Sequence, residues 1–303
     1  MIPYERLKLT HKADYERYLQ NCGERGCEYA FANLDLWGRR KGAILGECLT
    51  LFSQFNRRCV YAFPVGAGDV KPVLDAIIHD ARARGIPCCL TSLTEADTAL
   101  LERLYPGAFR FYTDRDNYDY VYAIDDLADL KGRKFQKKRN HVNRFEVDHP
   151  DCRIVPLDEG NRDAVHRLVE DWFAQREEVD PDGDYHLEQL ALERAMAVFR
   201  ELELESLVLM EGDEALAFTL GSRLNETTFD IHFEKAREDV DGAYPAVNRA
   251  FARHLREKYP EVRYLNREED MGIPGLRKAK LSYNPHHMVE KYWARLWEEE
   301  DEN

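Results

Sequence analysis

TTFDIHFEKAREDVDGAYPAVNRAF, residues 227–251, is the stretch on which the fold turns. Phe229, Ile231 and Phe233 alternate with Asp230, His232 and Glu234, the period of two that sends apolar side chains to one face of a β-strand and ionisable ones to the other. The segment then changes character at Gly242. Pro245 suits a first helical turn, because its missing N–H is one that a helix leaves unused. Val247, Ala250, Phe251, His254 and Leu255 recur at helical spacing. Strand, glycine turn and amphipathic helix in that order predict an α/β (α+β) fold.

Working outward, SLVLME and ALAFTLGSRL precede this strand and are joined by the short turns EGDE (211–214) and NE (225–226), as in antiparallel hairpins. The helix ends near Tyr259-Pro260 and hands over to VRYLN. The first half repeats the order. GECLTLFSQ and RCVYAFPV lead into GAGD (66–69), then a helix bearing Val70, Val73, Leu74, Ile77, Ile78 and Ala81, then Gly85-Ile86-Pro87 and the strand PCCLTSL. Each half opens alike, with RLKLTHKADYERYL in the first and RIVPLDEGNRDAVHRLVEDWF in the second. The expected organisation is two domains, residues 1–150 and 151–303, joined near HPDC at 149–152. Each is a mixed, mainly antiparallel sheet flanked by helices.

The 303 residues are 44% apolar and 33% charged, a balance that excludes a mostly disordered chain. Lys and Arg number 43 against 57 Asp and Glu, so a net charge of −14 repels nucleic acid and anionic membrane at long range. Any phosphate contact must be local. Seven cysteines without a CxxC pair suit neither a disulfide framework nor a zinc site, and no metal is expected. No apolar run is long enough to span a bilayer and the start lacks the apolar core of a signal peptide, which predicts a cytoplasmic protein. HExxH, GxxxxGK[ST] and GxSxG are absent.

Four segments carry candidate chemistry. At the helix start, Gly242, Ala243 and Tyr244 would let a phosphate approach free backbone N–H groups. A simpler purpose is a glycine-relieved entry into a core helix. On the strand, Asp230, His232 and Glu234 could bind an ammonium group or supply a base, or form a wet face. The segment KGRKFQKKRNHVNR, 131–144, holds seven cations and no acid. Lys134, Lys137, Lys138 and Arg139 there are candidate contacts to a polyanion such as tRNA, or to a nucleotide cofactor. The fourth, LNREEDMGIPGLRKAKLSYNPHHM (265–288), reads as a shaped loop in which Glu268, Glu269 and Asp270 are followed closely by Arg277, Lys278 and Lys280, a network that orders the loop or a pocket for a zwitterion. The run EEEDE at 298–302 reads as a solvated end.

YDYVY (118–122), LKGRKFQKKRNHVNRF (130–145), the GAYPAVNRAF helix start and NREEDMGIPGLRKAKLSYNP (266–285) together resemble bacterial proteins grouped with the C-terminal catalytic domain of phosphatidylglycerol lysyltransferases. The resemblance covers nearly the whole chain. It implies a tandem pair of GNAT-type acyltransferase folds, as in Fem-type aminoacyltransferases, and transfer of an aminoacyl group from charged tRNA to a lipid hydroxyl. It also implies roles near the active site for Lys278, Lys280 and Tyr283. The lysyltransferases carry a multi-spanning membrane domain that this sequence lacks, which leaves a soluble amine or hydroxyl open as acceptor. The expected activity is acyl or aminoacyl transfer from acyl-CoA or aminoacyl-tRNA, with Asp230 or Glu269 as base or ammonium anchor and Tyr283 as proton donor. The competing reading is a binding protein for a small molecule or RNA that has kept the fold without catalysis.

Overall fold

Antiparallel pairing follows the alternation in the sequence. In a computed structural model that describes residues 1–19, 22–38, 40–55, 58–179 and 185–297, two mixed sheets form, each flanked by helices. The acidic run 298–302 lies outside the described residues. The chain sorts into two compact units that do not meet at a single cut. One comprises Met1–Asp119, Glu269–Ile273 and the stretch from Met288; the other comprises Tyr120–Glu268 and Pro274–His287. The basic segment 131–144 falls in the second unit.

In the first unit the seven strands lie in the order Glu5–Arg6, Arg40–Leu45, Cys48–Phe55, Arg58–Gly66, Cys89–Leu93, Tyr292–Leu296, Phe109–Thr113. All neighbours are antiparallel except Arg58–Gly66 with Cys89–Leu93, the pair linked by the crossover helix Val70–Arg84. That helix starts where the Asp69 carboxylate accepts the Lys71 N–H, and it stops at Gly85, whose φ of 66° only glycine adopts at no steric cost. Its face of Val73, Leu74, Ile77 and Ala81 is buried with Phe63, Leu90, Leu101 and Ala294 in the core.

The second sheet repeats the scheme, running His287–Val289, Asp119–Ala123, Tyr264–Asn266, Thr228–Ala236, Glu214–Arg223, Glu205–Glu211, Arg153–Val155. Thr228–Ala236 runs parallel to Tyr264–Asn266, and this is again the pair bridged by a crossover helix, Ala243–Lys258. In both sheets a strand from elsewhere in the chain lies antiparallel beside the last crossover strand: Tyr292–Leu296 beside Cys89–Leu93, and Asp119–Ala123 beside Tyr264–Asn266. Among the described residues no helix is long and apolar enough to cross a membrane.

One irregularity shapes the site. The pairing of Glu214–Arg223 with Thr228–Ala236 shifts register between Leu220 and Gly221, a bulge that sets Ser222 opposite Asp230. Gly221 is required there, because a Cβ would sit 2.1 Å from the Asp230 carbonyl oxygen.

Candidate functional site

The polar face of the strand Thr228–Ala236 is buried rather than wet. Asp230 is inaccessible, and the His232 side chain is 1% exposed. Its Nε2 lies 2.8 Å from Ser222 Oγ, and its Nδ1 lies 3.5 Å from Asp230 Oδ2 and 3.4 Å from Glu268 Oε1. Ser222, His232 and Glu268 are thus linked by hydrogen bonds, with the Asp230 carboxylate close to the same imidazole nitrogen. Glu268 is the member that reaches solvent, at 21% side-chain exposure. Asp230, His232 and Glu268 also present ligand atoms within 4.8 Å of one another, a spacing that could hold a cation.

The backbone fixes Glu268 tightly. Its φ is 57°, in the left-handed region that a β-carbon disfavours. The Glu268 N–H donates to Asn266 Oδ1 at 2.7 Å, and its carbonyl accepts from the Tyr120 N–H at 3.1 Å and from Lys280 Nζ at 3.2 Å. Lys280 also donates to the Arg267 carbonyl. The buried Lys280 therefore locks this backbone, while Lys278, on the same helix Pro274–Leu281, is exposed.

One residue earlier, Arg267 turns its guanidinium into the second unit. Nη2 donates to Glu234 Oε1 at 2.7 Å, and Asn248 Nδ2 donates to Glu234 Oε2 at 3.0 Å. Nη1 is buried with no hydrogen-bond partner. The guanidinium lies 5.6 Å from the Tyr122 ring centre and 4.8 Å from that of Tyr283. Lys138 reaches the Tyr283 ring at 3.8 Å, and burial, reinforced by Arg267, pulls its pKa down to about 8. Burial pushes the Tyr283 phenol up, with Arg267 opposing, so the hydroxyl keeps its proton. Two cations thus flank one aromatic ring, and Arg267 keeps one buried nitrogen without a hydrogen-bond partner.

The other sequence candidates lie elsewhere. Gly242 and Ala243 are buried, and a Cβ on Gly242 would sit 2.4 Å from the His141 carbonyl oxygen and 3.0 Å from Phe145 Cβ. The close approach permitted there is that of the helix Gln136–Asp148, so the room is filled by protein. The Tyr244 hydroxyl accepts from Trp172 Nε1 at 2.9 Å. In the basic segment Lys134 pairs with Asp126 at 2.8 Å, Lys131 with Asp129 at 2.8 Å and Arg144 with Asp148 at 3.4 Å. Arg139 caps the carbonyls of Leu130 and Gly132. Among the described residues Arg133, Lys137, Lys138 and Arg139 have no carboxylate within ion-pair distance.

Glu269 and Asp270 belong to the first unit. Asp270 is buried, paired with Arg115 at 2.8 Å and accepting the Gly272 N–H at 2.9 Å. Glu269 joins a buried cluster around Lys291, whose Nζ lies 2.5 Å from Asp119, 2.8 Å from Glu28 and 3.6 Å from Glu269. Cys27 donates its N–H to Asp119 at 2.6 Å, and its Sγ lies 3.7 Å from the same Nζ. Gly26 leaves room, since a Cβ there would sit 2.6 Å from Lys291 Cε. Burial pushes Asp119 up to about 7 against the pull of Lys291; for Glu28 burial acts the same way, but Lys291 and Arg40 prevail and hold it near about 2. The lysine fills the centre where Cys27, Asp119 and Glu269 would otherwise hold a cation. Sequence reasoning missed Ser222, Arg267 and this cluster, and it placed Glu268 in a charged loop network rather than beside His232. The signal for Arg267 and Glu268 was their place in NREED; for Ser222 it was the glycine before it.

A family model described as phosphatidylglycerol lysyltransferase, C-terminal, matches residues 20–295. Among solved structures, a conserved protein of unknown function from Bacteroides thetaiotaomicron is 36% identical, with a TM-score of 0.91 over 98% of this chain and 100% of its own. L-PGS from Bacillus licheniformis shares the fold, at 16% identity and a TM-score of 0.69 over 98% of this chain and 94% of its own. An uncharacterised protein from Mycoplasmoides gallisepticum is 26% identical over 180 residues, a match that spans 59% of this chain and only 56% of that protein.

Proposed function

The chain belongs to the phosphatidylglycerol lysyltransferase C-terminal family, and from that premise we propose that it is an aminoacyltransferase, moving an aminoacyl group from a charged tRNA to an amine or hydroxyl acceptor in the cytoplasm. The observation that carries this reading is the buried imidazole of His232, held between Ser222 and two carboxylates on a strand whose Glu234 also anchors Arg267. That one strand supplies the supports of both the base, through His232, and the anion hold, through Glu234.

In the proposed reaction the acceptor nitrogen or oxygen attacks the ester carbonyl carbon of the donor. Glu268 takes the acceptor proton, and His232 behind it, oriented by Asp230 and Ser222, spreads the charge that accumulates. Arg267 and Lys138 hold a donor phosphate and keep the ester in reach. The ester C–O bond then breaks, and the departing ribose oxygen recovers the proton from Glu268. The basic segment supports tRNA over acyl-CoA as donor, because four of its cations are left uncommitted to carboxylates.

The test is transfer from radiolabelled lysyl-tRNA to phosphatidylglycerol vesicles or to soluble amines, with acetyl-CoA as competing donor. A labelled acceptor product from the tRNA is the expected result. Product from the thioester alone would reassign the donor. Ligand-induced thermal stabilisation without product from either donor would make this a binding protein.

A further inference from the structure

Among the described residues three lysines are buried, and each donates to an anion or a carbonyl. Lys235 reaches Glu188 at 2.7 Å, Lys280 reaches the carbonyls of Arg267 and Glu268, and Lys291 lies among Asp119, Glu28 and Glu269. Lys138 is placed differently. It is half-buried on the helix Gln136–Asp148, whereas Lys134 and Lys137 beside it are exposed. Its Nζ lies 3.8 Å from the ring centre of Tyr283, and the Arg267 guanidinium lies 4.8 Å from the same centre.

The groups around this amine work against its charge. Glu234 is the acid that acts on it, but both Glu234 oxygens are taken, Oε1 by Arg267 Nη2 at 2.7 Å and Oε2 by Asn248 Nδ2 at 3.0 Å. Tyr283 keeps its phenolic proton and so offers a neutral ring rather than an anion. The attraction of that ring for a cation is shared with Arg267, which is itself a like charge. Burial, reinforced by Arg267, brings the amine from the ordinary 10.5 down to about 8. At pH 8 about half of it is then uncharged, against about one in 300 for an ordinary lysine.

We propose that Lys138 is a site of covalent acylation by activated acyl compounds, the thioesters and acyl phosphates, with no second enzyme needed. The uncharged Nζ attacks the acyl carbonyl carbon. A C–N bond forms as the C–S or C–O bond breaks, the thiolate or phosphate leaves with the electron pair, and the amine releases one proton to solvent. The product is a neutral amide, so the cation over the Tyr283 ring is lost. The modification occurs whether or not the protein transfers aminoacyl groups; on the transfer reading it would leave Arg267 alone to hold the donor phosphate and so weaken donor binding.

The test is incubation of the native protein with acetyl phosphate or acetyl-CoA between pH 7 and pH 9, with acetylation at each lysine followed by peptide mass spectrometry. At pH 8 the larger uncharged fraction raises the rate at Lys138 roughly 150-fold over an ordinary lysine, and the lower basicity takes back roughly 15-fold, so Lys138 should be acetylated about ten-fold faster than the exposed Lys137. Its rate should level off above about pH 8. In guanidinium chloride, which removes the fold, the two lysines should react alike. Lys138→Arg should abolish the modified peptide and leave acetylation of Lys137 unchanged. A preference seen with both reagents supports an acyl-general site, and one seen with acetyl phosphate alone supports a site for small acyl phosphates. Acetylation of Lys138 no faster than of Lys137 in the native protein, or a preference that persists in guanidinium chloride, would overturn the assignment. Absence of aminoacyl transfer with preferential acetylation of Lys138 intact would count against the proposed reaction alone.

Discussion

Replacing Lys291 with Met leaves a buried cluster of acids without its central cation, and the size and pH dependence of the effect follow from the geometry. The ammonium has Asp119 at 2.5 Å, Glu28 at 2.8 Å and Glu269 at 3.6 Å, and its side chain is 8% exposed. Removing one partner from a buried ion pair costs about 3–5 kcal/mol, because the remaining charge keeps its desolvation penalty. In the native cluster Glu28 and Glu269 are held below their ordinary values, burial being overcome chiefly by Lys291, whereas Asp119 is raised to about 7. Without the lysine all three carboxyls rise. A carboxyl raised in the folded state binds more protons there than in the unfolded chain, so its contribution to stability falls as pH climbs above about 4. The variant should therefore be destabilised by about 3–5 kcal/mol at pH 8 and by less than about 2 kcal/mol at pH 5, where protonation relieves the charge. Urea denaturation at both pH values, followed by fluorescence and circular dichroism to verify coincident transitions, measures this. A loss below about 1 kcal/mol at pH 8, or an equal loss at both pH values, would refute the reasoning.

Gly221→Ala places a methyl 2.1 Å from the Asp230 carbonyl oxygen, so the bulge must open and Ser222 must leave His232; the expected cost is about 1–3 kcal/mol in thermal or urea melts, with transfer activity lost beyond what stability explains. Lys138 has its pKa pulled down to about 8 by burial and by Arg267, so it loses its charge above that pH. Donor binding should weaken between pH 7 and pH 9, and Lys138→Arg should flatten that profile in a titration by filter binding. The four cations of the basic segment without a carboxylate partner, Arg133, Lys137, Lys138 and Arg139, set a salt slope near about 3–4 for tRNA binding, and charge reversal at Lys137 should lower it by about 1.

Much of the architecture is written locally. The hairpins, both crossover helices and the repeated order of elements follow from alternation, helical spacing and glycine punctuation. The register within a hairpin is pinned by its short turn. The strand Tyr292–Leu296 could not be placed in that way, because it enters its sheet beside Cys89–Leu93, about two hundred residues earlier in the chain, and nothing local marks such a partner. The acids of NREED posed a different problem. Glu268 and Glu269 are neighbours of identical chemistry, yet the left-handed backbone at Glu268 sends one toward His232 and the next to Lys291. Gly242 carried a true signal of close approach, but sequence does not say that the approaching group is the helix bearing His141 and Phe145. Lys138, Tyr283, Tyr122 and Arg267 lie in three of the segments that resemble the lysyltransferases, and only folding brings them together.

The central claim, that Glu268 backed by His232 removes the acceptor proton during aminoacyl transfer, is tested most directly by single-turnover transfer from lysyl-tRNA by the native protein and by Glu268→Gln. The account predicts transfer by the native protein and a rate about 10²–10⁴-fold lower in the variant, with tRNA affinity and melting temperature unchanged. Transfer by the variant at the native rate would contradict it.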